Sequence, residues 1–174
     1  QTCALPILII TLLVSLPIYT QADPIYRSRD IVQPIYAKHG MVSSQHYLAS
    51  EAGLAVLKNG GNAVDAAVTM GFVLAVVLPR AGNIGGGGFM MVYHSPTNEV
   101  SAIDYREKAP IGAFEEMFLD REGKPDSELS RYSGLAVGVP GTVAGLVDAL
   151  EKYGTISIKK AVQPAIELAE KGFI

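Results

Sequence analysis

Apolar residues recur at helical spacing in two neighbouring stretches of the sequence. In residues 45–58, small and aliphatic side chains fall on one helical face, and the Asn-Gly-Gly that follows supplies a left-handed residue that ends a helix. Residues 63–78 carry only Asp65 and Thr69 as polar side chains, and Asn62 stands where an N-cap is expected. Because this second helix is shorter than the roughly 20 residues of a membrane span, we predict that it is buried at the centre of a layered domain.

Two short β-like runs follow, residues 89–94 and 100–105, and the Ser-Pro-Thr-Asn between them predicts a hairpin. Residues 114–128 form a charged surface stretch with a turn at 120–123, and the glycine-rich residues 134–139 predict a further strand. Helices and strands that alternate in pairs predict an α+β fold with layers of both kinds. We expect the full sheet to extend beyond this chain.

The last part of the sequence predicts helices. Residues 143–153 have a helical pattern with Thr142 as a possible N-cap. Ser157 can cap a helix over residues 158–163, and Pro164 suits the first turn of a separate helical segment, which a glycine ends.

Composition and charge exclude several classes of protein. Hydrophobic residues make up 49% of the 174 residues and charged residues 18%, so a highly charged disordered chain is excluded. Lys and Arg together count 14 against 17 Asp and Glu, and no run of basic residues occurs, which argues against a nucleic-acid partner. Cys3 is the single cysteine, so the sequence contains neither a disulfide pair nor a CxxC motif.

The beginning of the sequence resembles a signal peptide. Residues 1–22 carry no charged side chain, and small residues stand at the minus-three and minus-one positions before Asp23. We predict export to the periplasm or the outside of the cell, with a loose leader at 23–38 and the folded region at 39–174. A retained membrane anchor is the alternative. Since the sequence starts at Gln1, we expect it to be a piece of a longer protein, truncated at both ends.

The run Gly-Asn-Ile-Gly-Gly-Gly-Gly at 82–88 is the most unusual segment, because successive glycines cost conformational entropy and need a reason. A phosphate cradle is one hypothesis. However, the run lacks the Gly-Lys-Ser/Thr of a P-loop and the GxGxxG pattern, and it leads into a strand instead of a helix. Close packing of backbone against the buried helix is the favoured interpretation.

No metal site and no cofactor are predicted. His39, His46 and His94 do not have the spacing of metal ligands, and no cluster of carboxylates accompanies them. The Gly-Thr-Val-Ala-Gly at 141–145 lacks a hydroxyl in the middle position, where a nucleophile elbow has its serine. Thr142 is therefore interpreted as a cap.

Arg106 is the candidate binding residue. It stands at the end of the second predicted strand, where a guanidinium can hold a substrate carboxylate through two parallel hydrogen bonds. On the residues alone, a local ion pair with Asp104 or Glu107 is the favoured alternative, since exposed pairs of charges are common and weak.

Four segments together resemble the γ-glutamyltransferase family, and they occur in the order seen in that family. The segments are Gly-Asn-Ala-Val-Asp-Ala-Ala at 61–67, Ala-Gly-Asn-Ile-Gly-Gly-Gly-Gly-Phe-Met at 81–90, Ala-Ile-Asp-Tyr-Arg-Glu-Lys-Ala-Pro at 102–110 and Gly-Val-Pro-Gly-Thr-Val-Ala-Gly at 138–145. The resemblance runs from about His39 to Ile174 and covers only the beginning of the family's large chain.

The resemblance implies an N-terminal-nucleophile hydrolase fold, an αββα sandwich of which this chain holds a part. It also implies a proenzyme that cuts itself, with a small subunit from the same precursor. The new N-terminal threonine transfers the γ-glutamyl group of glutathione, or of another γ-glutamyl amide, to water or to an amino-acid or peptide acceptor. In that family the arginine of the aromatic-Arg-Glu segment holds the α-carboxylate of the glutamyl group, and its position matches Arg106.

The resemblance places the nucleophilic threonine and the glycine pair that stabilises the oxyanion beyond Ile174. No catalytic residue is therefore assigned in this chain, and the chain by itself is predicted to be inactive. One alternative keeps the fold and changes the substrate, as in cephalosporin or glutaryl acylases and oxamate amidohydrolases. A non-catalytic exported binding domain is the alternative from another class.

Overall fold

The computed structural model describes residues 34–81 and 83–174. The elements below lie within Ala37–Ile174, which forms one compact unit. The predicted signal peptide and most of the predicted leader fall outside the described residues, so both stay predictions. Among the described residues, no helix combines the length and the apolar character needed to cross a membrane.

The described part of the chain contains helices and one β-hairpin, in agreement with the predicted α+β class. The elements in order are α1 (Tyr47–Lys58), α2 (Ala63–Val77), β1 (Phe89–His94), β2 (Glu99–Asp104), α3 (Ser127–Tyr132), α4 (Thr142–Tyr153) and α5 (Ile158–Lys171). The two strands pair antiparallel, and a short 3₁₀ helix at Gly134–Ala136 lies between α3 and α4. The sheet is small, as expected for part of a larger sandwich.

Helix α2 is the centre of this fold. It contacts α1, α4 and α5, and Val68 and Val73 have no exposed surface. Its buried residues lie on most of the helix circumference: Val64, Asp65, Ala66, Val68, Thr69, Met70, Phe72, Val73 and Val77. Only a narrow stripe is open, on which Ala63 and Ala67 are exposed. Such wide burial is expected of a helix that has no polar face. The predicted central helix is confirmed.

The predicted ends of α1 and α2 are also confirmed. Helix α1 stops at Asn59, and Gly60 follows in the left-handed region with φ of 86°. The Asn62 side chain accepts the backbone N–H groups of Val64 at 2.9 Å and Asp65 at 3.0 Å. The Asp65 carboxylate accepts the Asn62 N–H at 2.8 Å, which completes a capping box with an aspartate in the third position.

The hairpin lies with one face on the core around α2. Phe89 pairs with Asp104 at its open end, and both strands lie within one residue of their predicted bounds. Val92 is buried, and Met90 and Ile103 pack against the core cluster. Because the hairpin is packed on the core, the end of β2 has a defined position, from which the following chain starts.

The segment between the hairpin and α4 differs from its prediction in two ways. The strand predicted at residues 134–139 is wrong, because the segment holds the 3₁₀ helix and only Val139 has a strand-like partner, Lys108. A strand needs a partner along its length for its backbone N–H and C=O groups, and an isolated bridge provides one for a single residue only. The stretch predicted as irregular surface runs into helix α3, whose N-cap Asp126 accepts the N–H groups of Glu128 and Leu129.

Two predictions about the last helices are wrong. Thr142 is not a cap but the first residue of α4. Its N–H donates to the Gly86 carbonyl at 3.0 Å. The acceptor at the start of this helix is therefore a distant backbone oxygen and not the Thr142 side chain. Pro164 does not open a new segment but lies inside α5. A proline removes one helical hydrogen bond, yet the helix continues because Ala161 and Ala165 on either side are buried in its contact with α2.

Thr69 is a buried hydroxyl without a partner. It has no exposed surface, and its Oγ1 makes no hydrogen bond to any described residue. We expect Thr69→Val to raise the free energy of unfolding by about 1 kcal/mol, because it removes a desolvated polar group and keeps the branched shape. Urea denaturation of the chain measures this difference. Thr69→Ser, which keeps the hydroxyl and removes the methyl group, should lower stability; stabilisation by serine would contradict the argument.

Candidate functional site

Arg106 lies in the extended segment that leaves β2. The residue is exposed, and its backbone N–H donates to the Asp104 carboxylate at 3.0 Å. Among the described residues, its guanidinium forms no ion pair and no hydrogen bond, so the local pair with Asp104 or Glu107 is not formed. The guanidinium therefore keeps its five donors for another group.

A cavity of about 310 Å³ lies beside this segment. The residues that line it come from the end of β2, the chain after it and the beginning of α4, and they include Arg106, Lys108, Pro140, Ala144 and Asp148. Of its acidic residues, Asp148 is paired with Lys152 at 2.8 Å. Two cations, Arg106 and Lys108, and two carboxylates, Asp104 and Asp148, thus line the cavity. Their charges balance, so it is the planar guanidinium of Arg106, and not the net charge of the wall, that can hold a carboxylate.

The glycine run lies against the Arg106 segment and not against α2, so the favoured interpretation of its packing is corrected. A Cβ added at Gly87 would come within 2.6 Å of the Tyr105 carbonyl oxygen and 2.7 Å of the Glu107 nitrogen. Gly88 pairs with Tyr105 through hydrogen bonds of 3.0 and 3.4 Å, which extend the hairpin ladder by one step. The run leads directly into β1, as predicted.

Three of the sequence motifs meet at this point. The Gly86 carbonyl accepts the N–H groups of Gly141 and Thr142 at 2.9 and 3.0 Å. Lys108 and Val139 exchange two backbone hydrogen bonds of 3.3 and 2.8 Å. The glycine run, the Arg106 segment and the start of α4 are therefore joined backbone to backbone, although some 55 residues separate the first from the last.

A second polar cluster joins the start of α2 to the loop between α4 and α5. Asp65 has no exposed surface and accepts hydrogen bonds from the Thr155 hydroxyl at 2.6 Å, the Thr155 N–H at 2.7 Å and the Ile156 N–H at 3.3 Å, besides that from Asn62. The Asn62 amide donates to the Tyr153 carbonyl at 2.6 Å. Burial raises the pKa of Asp65, but these hydrogen bonds together outweigh burial and hold the pKa below its ordinary value.

The histidines have local roles in the described structure. His46 Nδ1 accepts the Leu48 N–H at 3.3 Å and caps α1, while His94 Nδ1 lies 3.0 Å from the Thr97 hydroxyl. His39 is exposed. Within residues 34–81 and 83–174, no three His, Cys, Asp or Glu side chains are placed to hold a metal ion.

Sequence reasoning proposed Arg106 but did not single out Tyr105 and Gly145, which lie beside it. Tyr105 is half-buried, and burial raises the pKa of its phenol. Its ring lies on Gly145 of α4, so closely that an added Cβ there would overlap the ring. The available signal was a glycine in the middle of an otherwise regular helical pattern, since such a glycine destabilises a helix unless something needs the space.

Comparison with known proteins identifies the family. The protein-family model of Gamma-glutamyltranspeptidase matches residues 49–174. The chain is 54% identical over 145 residues to a glutathione hydrolase proenzyme of Escherichia coli, which covers 83% of this chain and 25% of that protein. The chain thus spans about a quarter of the length of this curated relative.

Solved structures agree with this result. The γ-glutamyltranspeptidase of Helicobacter pylori matches with a TM-score of 0.76 and 53% identity, over 80% of this chain and 40% of that chain. A cephalosporin acylase of Bacillus halodurans matches with a TM-score of 0.70 and 29% identity, over 89% and 28%. These neighbours have the N-terminal-nucleophile hydrolase fold, and the predicted fold is confirmed, with this chain as a partial α+β piece of it. The chain belongs to the γ-glutamyltranspeptidase family.

Proposed function

We propose that this chain is the N-terminal part of a glutathione hydrolase proenzyme, and that Arg106 binds the α-carboxylate of its γ-glutamyl substrate. The observation that carries the proposal is the state of Arg106: it lines a cavity, and its guanidinium has no partner among the described residues. The guanidinium of an arginine without a partner can donate two parallel hydrogen bonds to the oxygens of a carboxylate that enters the cavity. The similarity to glutathione hydrolases supplies the rest of the assignment.

The proposed chemistry needs no residue of this chain as nucleophile. A threonine freed by self-cleavage, outside these 174 residues, attacks the γ-carbonyl carbon with its hydroxyl oxygen, and its own α-amine takes the hydroxyl proton. The amide C–N bond breaks, the leaving amine receives that proton, and a γ-glutamyl ester remains. Water, or the amine of an amino acid or peptide, then attacks the ester and regenerates the threonine. The part played by this chain is to hold the glutamyl end in place.

The proposal includes the family's proenzyme organisation. Self-cleavage gives a large subunit that contains the folded part of this chain and a small subunit that begins with the threonine. Export to the periplasm or the cell exterior is proposed from the apolar, uncharged residues 1–22. This export assignment rests on sequence alone.

A comparison of three anilides tests the proposed substrate. The γ-glutamyl anilide has an α-carboxylate and an α-amine, the glutaryl anilide lacks the amine, and the butyryl anilide lacks both. We expect the full-length proenzyme, after self-cleavage, to hydrolyse the γ-glutamyl compound with a kcat/KM at least about 100-fold above that for the butyryl compound, because the charge-assisted hydrogen bonds to Arg106 are lost in the latter. Release of the aniline measures the rate.

The same assay distinguishes the proposal from its alternatives. A preference for the glutaryl anilide would assign the enzyme to the acylases, which the 29% identical neighbour represents. Absence of any hydrolysis by a proenzyme that has cleaved itself would support a non-catalytic binding protein. The 174-residue chain expressed by itself is the negative control. Aniline release by that chain would contradict the assignment of the nucleophile to a threonine outside these residues.

A further inference from the structure

We propose that Tyr105 is a positioning residue for Arg106, and that Gly88 and Gly145 are glycines so that the Tyr105 ring can lie between them. The inference rests on the proposed role of Arg106 as the carboxylate-binding residue. It adds a reason why the backbone of Arg106 is held in place although its side chain has no partner among the described residues.

Both sides of the ring are in close contact with glycine. A Cβ added at Gly88 would lie 2.9 Å from Cε2 and 3.2 Å from Cζ of Tyr105. A Cβ added at Gly145 would overlap Cβ, Cγ and Cδ1 of the same residue. Of these three atoms, Cβ is bonded to the backbone, so it cannot move without moving the chain that carries Arg106. A side chain at Gly145 therefore displaces the segment instead of merely turning the ring.

Gly145 lies at a helix position where the absence of a side chain needs a structural reason. It is the fourth residue of α4, inside the helix, where glycine is less stable than alanine. It is buried, and α4 contacts β2 at this end. Glycine lowers the stability of a helix at such a site, so it is expected only where a neighbour occupies the space of the missing methyl group. Here that neighbour is Tyr105.

The backbone on both sides of Arg106 is fixed as well. On the N-terminal side Tyr105 pairs with Gly88, and on the C-terminal side Lys108 pairs with Val139. The Arg106 N–H is itself bound by Asp104. Only two residues lie between the two fixed points, so a shift at Tyr105 is transmitted to Arg106 and is not absorbed by a flexible loop. A carboxylate that needs two parallel hydrogen bonds is sensitive to such a shift.

Two variants that act on the same contact from opposite sides test the inference in the full-length, self-cleaved enzyme. Gly145→Ala introduces the overlap, and Tyr105→Ala removes the ring. Both are expected to raise KM for the γ-glutamyl anilide about tenfold, with kcat changed less than about threefold, because they weaken substrate binding without touching the nucleophile. Thermal melting and the extent of self-cleavage show whether each variant is folded; if Gly145→Ala does not fold, Tyr105→Ala decides.

Conservative changes serve as matched controls. Tyr105→Phe keeps the ring, and the phenol oxygen has no hydrogen-bond partner among the described residues, so KM should stay within about twofold. Gly112→Ala adds a methyl group where no atom lies within 4 Å, and it should leave KM unchanged. A rise in KM for Tyr105→Phe as large as that for Tyr105→Ala would overturn the role of the ring.

The Arg106→Ala background separates this inference from the proposed function. If the glycine and the tyrosine act through Arg106, adding Gly145→Ala or Tyr105→Ala to Arg106→Ala raises KM by no more than about twofold. An undiminished tenfold rise in that background would show that they act on the structure in general, and the inference would be wrong. If Arg106→Ala leaves KM unchanged, the proposed role of Arg106 itself fails, whatever the other variants do.

Discussion

Arg106→Ala in the full-length enzyme is expected to raise KM for a γ-glutamyl anilide about 100-fold, since a bidentate, charge-assisted contact is worth roughly 3 kcal/mol and each 1.4 kcal/mol is a factor of ten. Self-cleavage should proceed at its normal rate, because only substrate binding uses this cation. Arg106→Lys keeps the charge and loses the planar fork, so its KM should fall between those of the wild type and the alanine variant. Steady-state kinetics with the anilide gives both values.

Arg121→Ala is the control for the loss of an arginine as such. Arg121 is exposed in the turn at residues 120–123, away from the cavity that Arg106 lines, and its replacement should leave KM unchanged. An unchanged KM for Arg106→Ala would remove this residue from the substrate site. A loss of self-cleavage in Arg106→Ala with no effect on the KM of the residual mature enzyme would assign Arg106 to processing instead of binding.

The elements that could be predicted from sequence are those with local causes. The ends of α1 and α2 depend on Asn59, Gly60, Asn62 and Asp65, all within a few residues of the helices they limit. The hairpin was predictable because its strands are consecutive and joined by a four-residue turn. The position of α2 followed from its composition, since no exposed helix lacks a polar face.

Three of the failures share one physical cause, which is contact between distant parts of the chain. Residues 134–139 have the composition of a strand, but among the described residues their one strand-like partner is Lys108, more than 25 residues earlier. Thr142 was predicted to cap α4, but the Gly86 carbonyl takes that role. Pro164 was predicted to start a segment, but burial of its neighbours against α2 keeps one helix. Local propensity is a weak guide wherever packing decides.

The candidate site was predictable only in part for the same reason. Arg106 was proposed as the binding residue because of the family resemblance, whereas its chemistry alone favoured a local ion pair. That the glycine run lies against Tyr105 and Glu107 depends on three segments far apart in sequence. The glycines could be seen to need a reason, but the sequence does not say which backbone approaches them. Asp65 is a similar case. Its hydrogen bond to Asn62 in the capping box is local, but its hydrogen bonds to Thr155 join residues that are far apart in sequence.

Asp65→Ala is expected to lower the free energy of unfolding by about 3 kcal/mol, because it removes a buried carboxylate that accepts four hydrogen bonds from Asn62, Thr155 and Ile156. Asp65→Asn keeps the shape but points an N–H₂ group at some of these donors, so it should also destabilise the fold, by a smaller amount. Urea denaturation at pH 7 measures both differences. Asp148→Asn is the matched control, since it removes an exposed carboxylate whose pairing with Lys152 contributes at most about 1 kcal/mol.

The pH dependence of stability tests the same carboxylate in a second way. Its pKa in the folded chain lies below the ordinary value of about 3.9, so the folded state binds the proton less readily than the unfolded state. The stability that Asp65 provides is therefore fully present above about pH 4 to 5 and is lost as the pH falls through the folded pKa. Asp65→Asn should remove this part of the acid dependence and leave the contributions of the other carboxylates. A variant whose unfolding free energy falls with acid as steeply as that of the wild type would show that the Asp65 carboxylate is not held in its charged form by the loop before α5.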